Sequence, residues 1–294
     1  MSFISYLING ISLGSVYAII ALGYTMVYGI AKMLNFAHGD VIMIGAYVVM
    51  AAVTGAGLPP AAAILAAVIF CTVLGIVIER VAYGPLLNAA SSLAVLITAI
   101  GVSYLLQNIA LLVFGANTIS VPHVISVPAL VLADGALTIT GEALITIISC
   151  IVIMAGLTLF IHKSKAGQAM LAVSEDKGAA QLMGINVNGT IALTFAIGSA
   201  LAAIAGVLLC SAYPTLTPYT GAMPGIKAFV AAVFGGIGSI PGALIGGILL
   251  GVIEIFGKAY ISSQMADAIV FGVLIVILIV KPTGILGKNI QEKV

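Results

Sequence analysis

Long apolar runs dominate the chain and predict helices that cross a membrane. A helix needs about 20 mostly apolar residues to span the hydrocarbon core of a bilayer. Seven runs reach that length, namely 7–30, 38–56, 59–79, 93–114, 142–162, 189–212 and 264–280. An eighth apolar run, 226–256, is interrupted at 235–242 by glycine and proline, which break helices. The pattern predicts an all-α fold, a polytopic membrane helical bundle of about seven to eight spans.

The interrupted run has two interpretations, one long broken span or two half-helices that enter and leave the membrane on the same side. Lysine and arginine concentrate on the cytoplasmic side of membrane proteins. The re-entrant arrangement places more of them there than a single crossing does. They are Lys32, Arg80, Lys163, Lys165, Lys177, Lys281, Lys288 and Lys293. We therefore predict a glycine-rich re-entrant or broken helix pair, with the N-terminus outside and the C-terminus inside.

The interruption itself is a candidate substrate pathway. Broken helices are tolerated at membrane depth where they are buried in protein or line a cavity. Half-helices aimed at the midplane leave backbone N–H and C=O groups unpaired, which suits a zwitterionic amino-acid backbone. The candidate pathway residues here are Gly235, Gly236, Gly238 and Ser239. The glycine pairs 242/246 and 247/251 instead predict close helix packing.

Composition supports the membrane and excludes other classes. The chain is 62% hydrophobic and only 6% charged, whereas soluble domains are nearer a quarter charged. A net charge of +1 offers no basic surface for nucleic acid. The cysteines Cys71, Cys150 and Cys210 are interpreted as small buried hydrophobic residues, without a disulfide or a metal. The first ten residues lack the features of a cleaved signal peptide, so the first helix is expected to be retained.

Two loops stand out within what we predict to be a single transmembrane domain, 1–294. The outward loop, 115–140, alternates polar and β-branched residues and is expected to form a small extracytoplasmic hairpin. The inward loop, 163–188, is the most polar stretch and contains helix formers broken at Gly184. It is expected to form one or two short amphipathic helices on the cytoplasmic membrane surface.

A third polar stretch joins the first two predicted spans at 32–40. In one interpretation it is a solvated turn in which Asp40 caps the next helix. In the other it is a helix break that reaches the substrate pathway, and both remain open. The residues of this candidate site are Asn35, Phe36, His38, Gly39 and Asp40. Near the other end, Glu254 and Lys258 are expected to form a solvated i,i+4 pair, and Asp267 either caps the last helix or lines a polar path.

No catalytic motif accompanies these polar stretches. The three histidines are scattered, and the chain has no H-E-x-x-H or phosphate-binding G-x-x-x-x-G-K-[ST] pattern. Nucleotide chemistry must therefore come from a partner. We expect a protein that is not an enzyme and has no cofactor or metal of its own.

Several stretches together resemble the LivH-type permease subunit of branched-chain amino-acid ABC importers. They are 9–18, 21–29, the Leu34–Asp40 sequence LNFAHGD, 184–186, the Phe234–Gly242 sequence FGGIGSIPG and 281–287. The resemblance runs over nearly the whole chain. It implies a multi-pass permease in the cytoplasmic (inner) membrane of a prokaryote that translocates leucine, isoleucine or valine.

The resemblance also implies partners. They are a second, LivM-type permease, two ATPase subunits that bind the ATP, and an extracytoplasmic substrate-binding protein. The inward loop would be the cytoplasmic coupling loop that docks on the ATPases. Residues 178–184 fit the E-A-A-x-x-x-G pattern of ABC importers except that glycine replaces the glutamate. The implied coupling residues are Glu175, Asp176, Gly178, Ala179, Ala180 and Gly184.

Three alternatives remain open from the sequence. The same architecture would serve for urea, short amides or other amino acids, because a different binding protein redirects specificity. A stand-alone channel or secondary transporter is the alternative from another class. An intramembrane enzyme is a more distant one, since the sequence shows no catalytic pair.

Overall fold

The computed structural model describes residues 2–86, 92–122, 124–125, 127–132 and 137–287. These residues form eleven α-helices and four short strands. The helices are α1 (Ser2–Ala31), α2 (His38–Thr54), α3 (Pro60–Ile78), α4 (Ser92–Phe114), α5 (Gly141–Lys163), α6 (Lys165–Glu175), α7 (Lys177–Leu182), α8 (Val187–Ala212), α9 (Ala222–Gly235), α10 (Ile240–Tyr260) and α11 (Ala266–Val280). The strands are β1 (Ile119–Ser120), β2 (Leu130–Leu132), β3 (Leu137–Ile139) and β4 (Thr215–Leu216). The chain is thus a helical bundle, as the apolar pattern predicts.

Within the described residues, six helices are long and apolar enough to cross a membrane: α1, α3 with the turns that follow it, α4, α5, α8 and α10. Two helices predicted as spans, α2 and α11, have only 17 and 15 residues. Helix α8 lies at the centre of the bundle, with most of its side chains buried. Helix α4 lies at the periphery and exposes large apolar side chains such as Leu112. Exposed apolar side chains on a peripheral helix fit contact with lipid.

The interrupted run forms a helical hairpin rather than one long broken span. Helices α9 and α10 run antiparallel, because Gly235 packs on Gly242 and Gly246 packs on Ala231 further along both helices. Of these two helices, only α9 is as short as a half-helix. It has 14 residues and spans about 21 Å at 1.5 Å per residue. Helix α10 has 21 residues and is a full-length candidate span.

Helices α1 and α10 pack side by side along nearly their whole lengths. Phe3 contacts Phe256 at one end, with ring centroids 5.2 Å apart. Further along, Gly14 packs on Gly247 and Gly251. The predicted packing role of the glycine pairs is therefore confirmed for Gly247 and Gly251.

The bundle has two distinct ends, which we name the hairpin end and the α6–α7 end. The β2–β3 hairpin confirms the hairpin predicted within 115–140, although its tip, 133–136, lies outside the described residues. Strands β1 and β4 also pair, a contact that the sequence does not predict. The two short helices predicted within 163–188 are confirmed as α6 and α7. Helix α1 begins at the hairpin end, and the described chain finishes at the α6–α7 end.

Candidate functional site

The site begins where α1 ends, at the segment 32–37 that leads back into the bundle. Lys32 is the only residue other than glycine with a positive φ (+58°) among those described. After it the chain turns back, so that α2 begins with His38 packed beside Gly23, in the second half of α1. Helix α2 therefore starts inside the bundle rather than at its surface.

Polar side chains from two other elements bind this segment and the first turn of α2. Tyr83, in the π-helical turn that follows α3, donates a hydrogen bond of 2.9 Å to Asn35 Oδ1. Gln107 of α4 donates one of 2.9 Å to Asp40 Oδ1. Asn35 and Asp40 are only 3% and 2% exposed. The solvated-turn interpretation is therefore wrong, and Asp40 does not cap α2, which begins after Ala37 without a side-chain cap.

His38 and Gly39 lie where three helices meet. The His38 ring is 1% exposed and lies edge-on to Tyr24, with ring centroids 4.6 Å apart. Its Nε2 atom has no hydrogen-bond partner among the described residues. A Cβ added to Gly39 would lie 2.8 Å from the carbonyl oxygen of Gly221, just before α9. The absent side chain at Gly39 is what lets α2 and α9 approach this closely.

We expect Gln107→Leu to lower the thermal stability of the purified chain by about 1–3 kcal/mol, because it removes a donor from a buried carboxylate. The measurement is the unfolding midpoint of the protein in detergent or nanodiscs. Asn108→Leu is the matched control, since that exposed amide donates only to a carbonyl of its own helix. Equal stability of the two variants would contradict the role assigned to Gln107.

A cleft lies between the 32–37 segment and the α9–α10 turn, and of the predicted pathway residues Asn35 is in its lining. Its lining comes from α1, the 32–37 segment, α9 and the α9–α10 turn: Tyr24, Tyr28, Met33, Leu34, Asn35, Phe229, Ala232 and Ile237. The gaps between these side chains amount to about 200 Å³, part of it open to the outside, and none of them is wide enough to admit a water molecule. Phe36 lies beside the same wall, 5.9 Å from Phe229 between ring centroids. A mainly apolar, aromatic wall with one amide suits a small molecule with an apolar side chain.

The predicted glycine residues of the interruption form the turn between α9 and α10. Gly236 and Gly238 have φ values of +103° and +93°, which glycine adopts without strain. Ser239 caps α10 by accepting a hydrogen bond of 3.2 Å from Gly242 N. Gly235 packs closely against the backbone of Gly242 in α10. Of this turn, Ile237 reaches the cleft.

The carbonyl groups at the end of α9 are paired within the chain. Ile285 N and Leu286 N donate hydrogen bonds of 2.9 Å to the carbonyl oxygens of Phe234 and Gly235. The prediction of unpaired carbonyls is therefore wrong for these two groups. That the turn residues line the pathway stays a prediction.

An ion cluster connects α9, α10 and α11 inside the apolar bundle. Lys227 Nζ lies 2.8 Å from Glu254 Oε1 and 2.7 Å from Asp267 Oδ1. Lys258 also binds Glu254, at 2.6 Å, and Tyr17 of α1 donates to its other oxygen at 2.8 Å. Glu254 is 1% exposed, so the prediction of a solvated Glu254–Lys258 pair is wrong. Asp267 does not cap α11, whose N-cap is Met265 with no side-chain hydrogen bond.

The sequence shows that these residues are charged, but it does not show which of them contact each other. Glu254 and Lys258 are adjacent on one helix, but Lys227 lies 27 residues before Glu254. The antiparallel α9–α10 hairpin brings Lys227 and Glu254 together. A buried carboxylate is costly unless it is paired, and Glu254 is paired with two lysines and accepts a hydrogen bond from Tyr17.

The predicted coupling residues lie on α6 and α7. Asp176 caps α7 by accepting a hydrogen bond of 2.9 Å from Ala179 N, while Glu175 is exposed at the end of α6. Ala180 is buried, Gly178 is exposed, and Gly184 ends the segment with a φ of +83°.

Sequence reasoning missed the two most exposed apolar side chains of this loop. Leu182 and Met183 are 90% and 82% exposed at the tip of α7. Exposed apolar side chains of this size fit contact with another protein or with a membrane surface. The available signal was an apolar pair in the most polar loop of the chain.

The fold defines a class, the polytopic helical membrane proteins, because six of the described helices are long and apolar enough to span a bilayer. The chain belongs to the family described as branched-chain amino acid transport system / permease component, whose model matches residues 6–279. It is a multi-pass protein of the inner membrane.

Named relatives match it over most or nearly all of their lengths. The high-affinity branched-chain amino acid transport system permease protein LivH of Salmonella typhimurium is 47% identical over 99% of this chain and 98% of the relative. BraD of Pseudomonas aeruginosa, which carries the same description, is 45% identical over the same shares. A probable LivH of Methanocaldococcus jannaschii is 29% identical over 92% of this chain and 88% of the relative.

A solved structure shares the fold. PsaBC from Streptococcus pneumoniae, in complex with Fab, matches with a TM-score of 0.50 and 16% identity. The match covers 95% of this chain and 92% of that one. At this identity the similarity concerns the fold alone.

Proposed function

We propose that this chain is the membrane-spanning subunit of an ATP-binding-cassette importer that moves leucine, isoleucine and valine into the cell. The observation that carries the proposal is full-length similarity, 45–47% identity, to permeases named for high-affinity branched-chain amino acid transport. The apolar and aromatic lining of the cleft supports it, because such a lining favours an aliphatic side chain over a sugar or an ion.

The proposal includes a division of labour among subunits. A second, LivM-type permease faces this chain across the pathway, two ATPase subunits bind and hydrolyse ATP, and an extracytoplasmic protein delivers the amino acid. The chain itself is not an enzyme and holds no cofactor. Transport proceeds by alternating access, in which the cleft opens towards each side of the membrane in turn.

The orientation follows from the distribution of cations. Of the lysines and arginines in the described residues, Lys227 and Lys258 belong to the ion cluster. The others are Lys32, Arg80, Lys163, Lys165, Lys177 and Lys281, and each lies on an element that terminates at the α6–α7 end. We therefore place the α6–α7 end in the cytoplasm and the N-terminus outside. Lys288 and Lys293 lie outside the described residues.

The decisive experiment is reconstitution in liposomes. The complete complex is expected to accumulate radiolabelled leucine only with ATP and with the binding protein, and unlabelled isoleucine and valine should compete. Competition by urea or short amides instead would favour the alternative substrate class. Transport by the purified chain alone, without ATP, would establish a channel or secondary transporter and overturn the proposal.

We expect Leu182→Asp to prevent stable association with the ATPase subunits. The substitution adds a negative charge to the apolar tip of α7, which would be desolvated in a protein interface. The measurement is co-purification of the ATPases with the tagged permease. Gln168→Asp on the exposed side of α6 is the control and should leave association unchanged. Normal co-purification of Leu182→Asp would show that this tip is not the contact.

A further inference from the structure

One contact joins α7 directly to the end of α1. Lys177, the first residue of α7, donates a hydrogen bond of 2.9 Å from Nζ to the carbonyl oxygen of Ala31, the last residue of α1. The two residues are 146 positions apart in the chain. A lysine at the last carbonyls of a helix satisfies an otherwise unpaired acceptor and complements the negative end of the helix dipole.

The other surroundings of the Lys177 ammonium group disfavour its charge. Partial burial lowers the pKa of Lys177 below its ordinary value, and the positive charge of Lys32 lowers it further. The hydrogen bond to the carbonyl oxygen of Ala31 is a favourable contact beside them.

The hydrogen bond from Lys177 to Ala31 lies next to residues that line the cleft. Ala31 precedes Lys32, where the positive φ turns the chain back, and the next residues, Met33 to Asn35, line the cleft. Asn35, further along the segment, is held by the hydrogen bond from Tyr83. Residues 32–34 thus lie between two hydrogen bonds, one from α7 to Ala31 and one from the turn after α3 to Asn35.

We propose that Lys177 is a positioning residue that transmits displacement of α7 to the 32–37 segment and so to the cleft. The inference rests on the proposed function, in which the ATPases bind the tip of α7 at Leu182. Movement of α7 pulls on the end of α1 through this hydrogen bond, while Tyr83 holds Asn35. The cleft lining between the two hydrogen bonds then shifts.

The test separates coupling from assembly in the reconstituted complex. Lys177→Met keeps most of the side-chain length but removes the donor. We expect it to retain ATPase association and ATP hydrolysis, whereas leucine transported per ATP hydrolysed falls about tenfold, the effect of losing one hydrogen bond from a charged donor. Lys177→Arg retains a cationic donor and should restore the ratio.

Lys165→Met is the matched control, because Lys165 is exposed on α6 in the same loop. A transport-to-ATP ratio equal in Lys177→Met and Lys165→Met would overturn the inference. Loss of ATPase association in Lys177→Met would also overturn it, since Lys177 would then be a docking residue. Failure of the unsubstituted complex to associate or transport would instead reject the proposed function.

Discussion

Replacing Lys227 with methionine is expected to lower the free energy of unfolding by about 3–5 kcal/mol, because it leaves a buried carboxylate without its buried partner. Lys227 and Glu254 side chains are only 8% and 2% exposed, so solvent does not replace the lost charge. Lys258 remains beside Glu254 but is 37% exposed and compensates only in part. The measurement is thermal or denaturant unfolding of the purified chain, together with its abundance in membranes.

A double variant separates the effect of the lost charge from the effect of the lost packing. Lys227→Met combined with Glu254→Gln removes both buried charges and should be more stable than Lys227→Met alone. Lys163→Met changes an exposed lysine at the end of α5 and should have little effect. A double variant as unstable as the sum of its single variants would show that the pair does not interact.

Replacing Gly251 with alanine is expected to cost about 1–3 kcal/mol or more, because the added methyl group has no room. Its Cβ would overlap the backbone of Gly14 and approach the carbonyl oxygen of Gly10 to 2.6 Å. Backbone atoms cannot rotate away as a side chain can, so α1 and α10 would have to separate. Abundance in membranes and the unfolding midpoint are the measurements.

Gly101→Ala is the matched control for this substitution. Gly101 lies on an exposed face of α4, and a Cβ there meets nothing within 4 Å. Because alanine favours a helix over glycine, this variant should be unchanged or stabilised by up to about 1 kcal/mol. A destabilisation equal to that of Gly251→Ala would attribute the effect to helix backbone chemistry rather than to the α1–α10 contact.

The sequence by itself determined that the protein lies in a lipid bilayer and that its main elements are helices. Runs of about 20 apolar residues have few structures available in lipid, where every backbone group must be paired within the segment. This is why α1, α3, α4, α5 and α8 fall on predicted runs, and why the two helices of the polar loop 163–188 could be anticipated. The sequence also indicated the family, through stretches such as LNFAHGD and FGGIGSIPG.

Only the tertiary structure decided which residues meet. Hydropathy did not reveal that α2 starts inside the bundle, because the break at 32–37 lies between two apolar runs of ordinary length. It could not show that Phe229 and Ile237 share a cleft with Asn35, since those contacts join segments nearly 200 residues apart. It also made Glu254 and Lys258 a surface pair, whereas the antiparallel α9–α10 hairpin adds Lys227 and buries the carboxylate. Local periodicity reports the environment of each segment, and the partner of a buried polar group is set by how the segments pack.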